Sequence, residues 1–269
     1  MSVIRDVVYA PELGEFGKLD LYLPETQEPC PMFIFFHGGG IVNGNRGNGT
    51  NPSFLLLASR GIAVASVEYR MYQNDPAKTV KRGSVTPESL LPDSPRYPVF
   101  IEDCATSIAW LQKNMAQYHA IDSWYVGGSS AGGYLSMMLF FDTSYLAKHG
   151  IDARSLDGYF FDAGQPTVHF NVLGERGLDS RLVRIDEAAP LYWIDNSLSE
   201  HGMPKVHIIY SDHDIYNRSE QSCLLYRTML HFGYDENKVK LIEMRGYTHT
   251  GYCKKPYVYA AMIEDLIRW

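Results

Sequence analysis

Short apolar runs, separated by longer amphipathic or polar stretches, set the rhythm of this chain. Residues 32–36, 62–67, 124–126, 159–161 and 206–210 are apolar throughout or nearly so, as strands buried on both faces are. Residues 239–244 close the series. The stretches between them predict helices over 54–60 (ended by Gly61), 98–118, 132–148, 219–232 (closed by Gly233) and 257–269 (begun by Pro256). In the second of these, Ile101, Ile108, Leu111 and Met115 recur at helical spacing. The opening reads differently. Residues 19–23 alternate apolar with polar or amphipathic side chains, and with residues 3–9 they predict an antiparallel pair joined by a turn at 11–17. Strands alternating with helices predict fold class α/β: a mainly parallel central sheet with helices on both faces, in one domain over residues 1–269.

Ligands of such sheets bind beyond the carboxyl ends of the strands. Two segments leaving those ends, at about 71–97 and 163–189, exceed ordinary connection lengths. They are expected to be long active-site loops. The 45% hydrophobic and 20% charged content suits a globule with a substantial core.

Candidate chemistry sits at two of the strand ends. His37-Gly38-Gly39-Gly40 follows the run 32–36, and Gly128-Ser129-Ser130-Ala131-Gly132 follows 124–126. The second motif reads G-x-S-x-G, which lifts a serine hydroxyl above a strand end on a turn that needs glycines at its flanks. The first is a glycine-rich loop suited to presenting backbone N–H groups to an oxyanion. A G-x-S-x-G arises by chance in roughly one such chain in seven and an H-G-G-G in roughly one in two hundred. Their conjunction, in this order and each after a strand-like run, is what carries weight.

A serine hydroxyl needs a base within reach, and the base needs a group to orient it. Seven histidines follow Ser130: His149, His169, His201, His207, His213, His231 and His249. Only His249 stands in a glycine-bounded loop, residues 246–251, after the final strand. His207 lies within a strand and His231 at a helix end, where structural roles prevail. The acid should follow the strand 206–210, where Asp212 and Asp214 both stand. Asp214 is favoured because it lies farther along the loop, with Asp212 left to hold the turn through local backbone N–H groups.

Charge and cysteine usage narrow the classes. The net charge of −7 argues against a nucleic-acid surface. The basic cluster Lys78-Thr79-Val80-Lys81-Arg82 reads as a solvated segment. Cys30, Cys104, Cys223 and Cys253 show no metal or redox spacing and read as free thiols. Residues 1–6 lack the apolar run of a secretory signal, and no apolar stretch is long enough to span a membrane. A cytoplasmic protein that binds no membrane is therefore expected.

The residues also resemble a known family, nearly end to end. The chain is similar to the α/β-hydrolases, and specifically to carboxylesterases with an H-G-G-G loop, the hormone-sensitive-lipase-like and short feruloyl-esterase-like groups. Val67-Glu68-Tyr69-Arg70, Tyr97-Pro98 with Glu102-Asp103, and Trp110-Leu111 resemble that family's segments. Residues 211–214 resemble its acid loop, with Ser211 where the family usually has glycine. The resemblance implies Ser130 as nucleophile, Asp214 and His249 as its partners, and the N–H groups of Gly39, Gly40 and Ala131 as oxyanion donors. It implies hydrolysis of small-molecule esters with no metal and no cofactor. Only 36 residues precede His37 in this sequence, so a chain without the N-terminal helical cap of many lipase-like members is expected, with the 71–97 loop covering the site instead. A carbohydrate esterase acting on sugar-linked acetyl or feruloyl groups and an arylformamidase-like amidase share these motifs. A non-catalytic receptor is disfavoured because nucleophile and base are both kept. Phe140, Phe141, Phe170, Tyr192 and Trp193 read as core rather than as a substrate platform. The sequence leaves room for a homo-oligomer.

Overall fold

A computed structural model describes residues 1–26, 28–47, 49–78, 80–81, 83–200 and 202–269. Thr79 and Arg82 of the basic cluster, and His201, lie outside the described residues. Eight strands among the described residues form one sheet: β1 (Ser2–Val8), β2 (Lys18–Leu23), β3 (Cys30–Phe36), β4 (Ala63–Val67), β5 (Ile121–Ser129), β6 (Gly158–Asp162), β7 (Lys205–His213) and β8 (Val239–Thr248). Their spatial order is β1-β2-β4-β3-β5-β6-β7-β8. β1 pairs with β2, and β2 with β4, antiparallel; every later pairing is parallel.

The helices are α1 (Asn51–Ser59), α2 (Val99–Asn114), α3 (Ala131–Phe141), α4 (Ser144–Ala147), α5 (Phe170–Glu175), α6 (Arg218–His231) and α7 (Pro256–Arg268). They cover both faces of the sheet, and β3 shows why its sequence is apolar throughout. Met32, Ile34 and Phe36 enter the core shared with α2, α3 and α6. Phe33 and Phe35, pointing the other way, enter the core shared with α1 and α7.

Several boundaries differ from expectation. The stretch 11–17 is a short 3-10 helix, Pro11–Gly17, rather than a simple turn. The helix expected over 132–148 stops at Phe141, because Asp142 Oδ1 accepts bonds from Ser144 N–H and Oγ–H and restarts the chain as α4. β7 and β8 run to His213 and Thr248, beyond the apolar runs that announced them. Backbone pairing between them resumes at His213 and Thr248 after a bulge, so polar side chains there do not end the strands.

The two long segments are only partly loops. Tyr72, Val85 and Leu90 are buried in the main core, as are Val168, Val172 and Leu173. Glu175 Oε2 accepts bonds from Tyr72 Oη–H at 2.5 Å and from Tyr97 N–H at 3.1 Å, fastening the segments together. Deleting much of 71–97 would therefore open the core as well as the site. The four cysteines are unpaired. No helix among the described residues is long and apolar enough to cross a membrane.

Candidate active site

Parallel register places the two motifs together. β3 and β5 are neighbours with Phe36 opposite Gly128, so the loops that follow leave the sheet side by side. Gly132 is required by that closeness: a Cβ there would lie 1.9 Å from Phe36 O. Between the glycines Ser130 takes φ 57° and ψ −110°, a conformation few side-chain-bearing residues adopt. Its N–H donates to Asp162 O of β6 at 2.7 Å, which fixes the turn.

Three residues far apart in sequence meet above this turn. Ser130 Oγ lies 2.8 Å from His249 Nε2, and His249 Nδ1 lies 2.6 Å from Asp214 Oδ1. The carboxylate can only accept, so Nδ1 carries the proton and Nε2 faces the serine hydroxyl as an acceptor. Asp214 also accepts from Ile215 N–H at 2.7 Å and Ser211 N–H at 3.2 Å. Burial pushes its carboxyl up. His249 and the two backbone N–H groups outweigh that and hold it below the usual carboxylate value.

Asp212 does something else, and not what local turn chemistry suggested. Its oxygens accept from Gly246 N–H across the sheet at 2.9 and 3.0 Å. Ser211 Oγ–H donates to Thr248 O at 3.0 Å. Together they tie β7 to β8 on either side of the approach to His249. The hydroxyl that glycine would lack is thus used, a role the sequence did not signal.

Gly39 and Gly40 line the same cavity as Ser130 and His249. Gly39 has φ +119°, and a Cβ there would lie 1.9 Å from Asn43 O, so only glycine lets the loop turn this way. Ala131 begins α3 immediately after Ser130, where helix geometry leaves its N–H without an intrahelical acceptor. His37 is fully buried beneath the loop. Its Nδ1 lies 2.8 Å from Gly38 O and its Nε2 2.9 Å from Glu68 Oε1. Asn171 Nδ2–H donates to Gly40 O at 2.6 Å and Gly83 O at 2.9 Å. Nothing in the sequence marked Asn171. Arg70 and Asp103, both in the family-like segments, form a two-pronged ion pair at 2.6 and 2.8 Å.

The cavity measures about 1000 Å³ and takes walls from both long segments, through Gly83 and Ser84 on one side and Phe170 and Leu182 on the other. Phe170 is thus a wall residue, not core as expected, whereas Phe140 and Phe141 are buried core. No group of His, Cys, Asp and Glu suited to a metal ion occurs among the described residues.

Comparison with known proteins agrees with this architecture. A family model described as BD-FAE matches residues 19–80, the stretch that holds the H-G-G-G loop. Esterase B from Lactobacillus rhamnosis superposes with a TM-score of 0.72 at 19% identity, covering 99% of this chain and 85% of its own. The chain has the α/β-hydrolase fold. A truncated carbohydrate esterase from gut microbiota shares that fold (TM-score 0.70, 19% identity, 100% of this chain and 96% of its own). In sequence, tuliposide A-converting enzyme 2 of Tulipa gesneriana is 30% identical over 169 residues, 57% of this chain and 36% of that enzyme. The chain spans about a third of the length of the curated relatives it matches first.

Within this α/β-hydrolase fold, one buried carboxylate lies just under the serine turn. Asp162, fully buried at the end of β6, accepts from Tyr252 Oη–H, from Tyr259 Oη–H at 3.0 Å and from Cys253 Sγ–H at 3.4 Å. Burial raises its affinity for a proton, and these donors only partly offset that. A carboxyl whose native value is raised favours folding most when protonated. Wild type should therefore lose melting temperature relative to Asp162→Asn as pH rises from about 4 towards 7. A constant or widening advantage of wild type over that range would show that Asp162 is held as a satisfied anion.

Asn171 carries a second expected outcome. Asn171→Ala removes the bond that holds the Gly40 carbonyl, together with the one that ties the same amide to Gly83 O, and kcat/KM should fall roughly tenfold or more. An unchanged kcat/KM with a lowered melting temperature would restrict Asn171 to stability.

Proposed function

We propose that the protein is a serine hydrolase that cleaves carboxylic esters of small molecules through an acyl-enzyme. The observation that carries this reading is the continuous chain Ser130 Oγ–His249–Asp214, with both links at hydrogen-bond length, facing a large cavity. Ser130 Oγ attacks the ester carbonyl carbon while His249 Nε2 takes its proton. The carbonyl oxygen gains negative charge and is received by the N–H groups of Gly39, Gly40 and Ala131. Collapse of the tetrahedral intermediate expels the alcohol, which takes the proton back from Nε2. Water then attacks the acyl-enzyme with His249 again as base, and Ser130 is released. Asp214 fixes the imidazole tautomer and stabilises the imidazolium in both halves.

The relatives support the same chemistry, since several are named esterases, among them Esterase LipC of Mycobacterium tuberculosis. A second reading, ester cleavage on a carbohydrate, draws support from the carbohydrate esterase that this fold matches over nearly its whole length. The unpaired thiols favour a reducing, cytoplasmic setting. The test is covalent labelling by a serine-directed fluorophosphonate together with a panel of acetyl, butyryl, feruloyl and acetylated-sugar esters. Labelling and turnover that both vanish in Ser130→Ala support the proposal, and folded wild type that neither labels nor turns over any ester would overturn it.

A further inference from the structure

The cavity beside Ser130 is lined by charge of one sign. Lys81, Arg181, Arg218 and Lys254 contribute to its walls, and among the described residues no Asp or Glu does. That is unexpected in a chain of net charge −7.

The four cations differ in what they can do. Lys81 and Lys254 are exposed at the rim, where water and salt screen them. Arg181 is exposed and already paired with Asp179 at 2.5 Å. Arg218 opens α6, is only 5% exposed, and has Nε and Nη1 buried without a hydrogen-bond partner. The Asp214 carboxylate favours its charge through space. That carboxylate's bonds, however, go to His249, Ser211 and Ile215. Burial pulls Arg218 down only to about 10, so it remains a cation at neutral pH. Leaving a buried guanidinium unbonded is among the costliest arrangements a fold carries, unless its partner arrives from outside.

Resting on the ester-hydrolase reading above, we propose that Arg218 is the receptor for a carboxylate on the substrate. The preferred substrates are esters whose acyl or alcohol part bears a carboxylate, such as half-esters of dicarboxylic acids or esters of sugar acids. A carboxylate brings to the guanidinium, which lines the cavity, an acceptor of opposite charge. A neutral aliphatic ester brings no such charge. The rim lysines add attraction at longer range, which salt weakens.

Two matched substrate pairs test this. On the alcohol side, 4-acetoxybenzoate is compared with 4-acetoxybenzamide. On the acyl side, mono-4-nitrophenyl adipate is compared with 4-nitrophenyl heptanoate. Each kcat/KM is divided by the hydroxide-catalysed rate. In wild type the anionic member should lead by roughly 10- to 100-fold in at least one pair, as expected for one charge-assisted contact. The lead should shrink at about 0.5 M NaCl. Arg218→Gln should bring the ratio near one, and Arg218→Lys should keep part of it. Ratios near one in both wild-type pairs, with turnover that still depends on Ser130, would overturn the proposal. So would a folded Arg218→Gln protein that keeps the full preference. Should that variant fail to fold, the wild-type ratios and their salt dependence decide. Absence of Ser130-dependent turnover on all four esters would instead sink the ester-hydrolase reading, and this proposal with it.

Discussion

Replacing Ser130 with Ala is expected to lower kcat by roughly 10⁴- to 10⁶-fold while leaving the melting temperature within a few degrees of wild type. The size of the loss follows from the geometry. Ser130 Oγ is the hydroxyl that meets His249 Nε2, so on the proposed mechanism its removal takes away the covalent step itself. What remains is water acting beside the glycine loop. The small effect on stability follows from the same place. The backbone of the turn is held by Ser130 N–H to Asp162 O and by the contact of Gly132 with the end of β3, neither of which involves the hydroxyl. Turnover of 4-nitrophenyl acetate and a thermal melt, measured on the same preparation, check both halves. Turnover above about 1% of wild type would move the nucleophile elsewhere. Ser129 is a poor substitute, because it is buried with its Oγ 3.5 Å from Cys253 Sγ.

Asp214→Asn should cost about 10⁴-fold in kcat, and Asp212→Asn less than about tenfold. An amide at position 214 can donate to His249 Nδ1, which favours the tautomer with Nε2 protonated and blocks proton uptake from Ser130. Asp212 touches no ring nitrogen of His249 in the bonds it makes; it braces Gly246. The reverse ranking of the two variants would reassign the acid. A stability measurement gives an independent check with a defined sign. The Asp214 carboxyl is held below its ordinary value in the native state, so its contribution is present above the unfolded value near 4 and is lost as pH falls through the native one. The gap in melting temperature between wild type and Asp214→Asn should therefore close towards acid pH. A gap that persists at the lowest pH at which both remain folded would trace the loss to packing instead of charge.

Much of the fold was legible because its cues are local. The run Met32–Phe36 is apolar on both faces since alternate side chains enter two different cores, and the glycines after it mark the turn. The G-x-S-x-G turn and the late glycine-bounded histidine announce themselves in the same way. Asp162, Ser211, Asn171 and Arg218 do not. Asp162 meets Tyr252 and Tyr259 from 90 and 97 positions away, and Asn171 reaches back 131 positions to Gly40. No periodicity encodes such meetings; register and sheet order do. The ends of β7 and β8 were missed for a related reason: backbone pairing with a neighbour carries a strand through polar residues, and a hydropathy pattern stops where polarity begins. The long segments were misread in part because single buried side chains such as Val85 and Leu90 sit in otherwise polar stretches.

The clasp made by Asn171 has a consequence for how this protein can change. One amide holds the Gly40 carbonyl and the Gly83 carbonyl at once, so the cavity wall and the glycine-rich loop share a joint. Variation in the 83 region would be felt as altered speed as well as altered preference. The exposed stretch around Leu182 and Val183, which also faces the cavity, takes part in neither bond. It is the part of the wall where a lineage, or an engineer, could exchange one substrate for another and keep the rate.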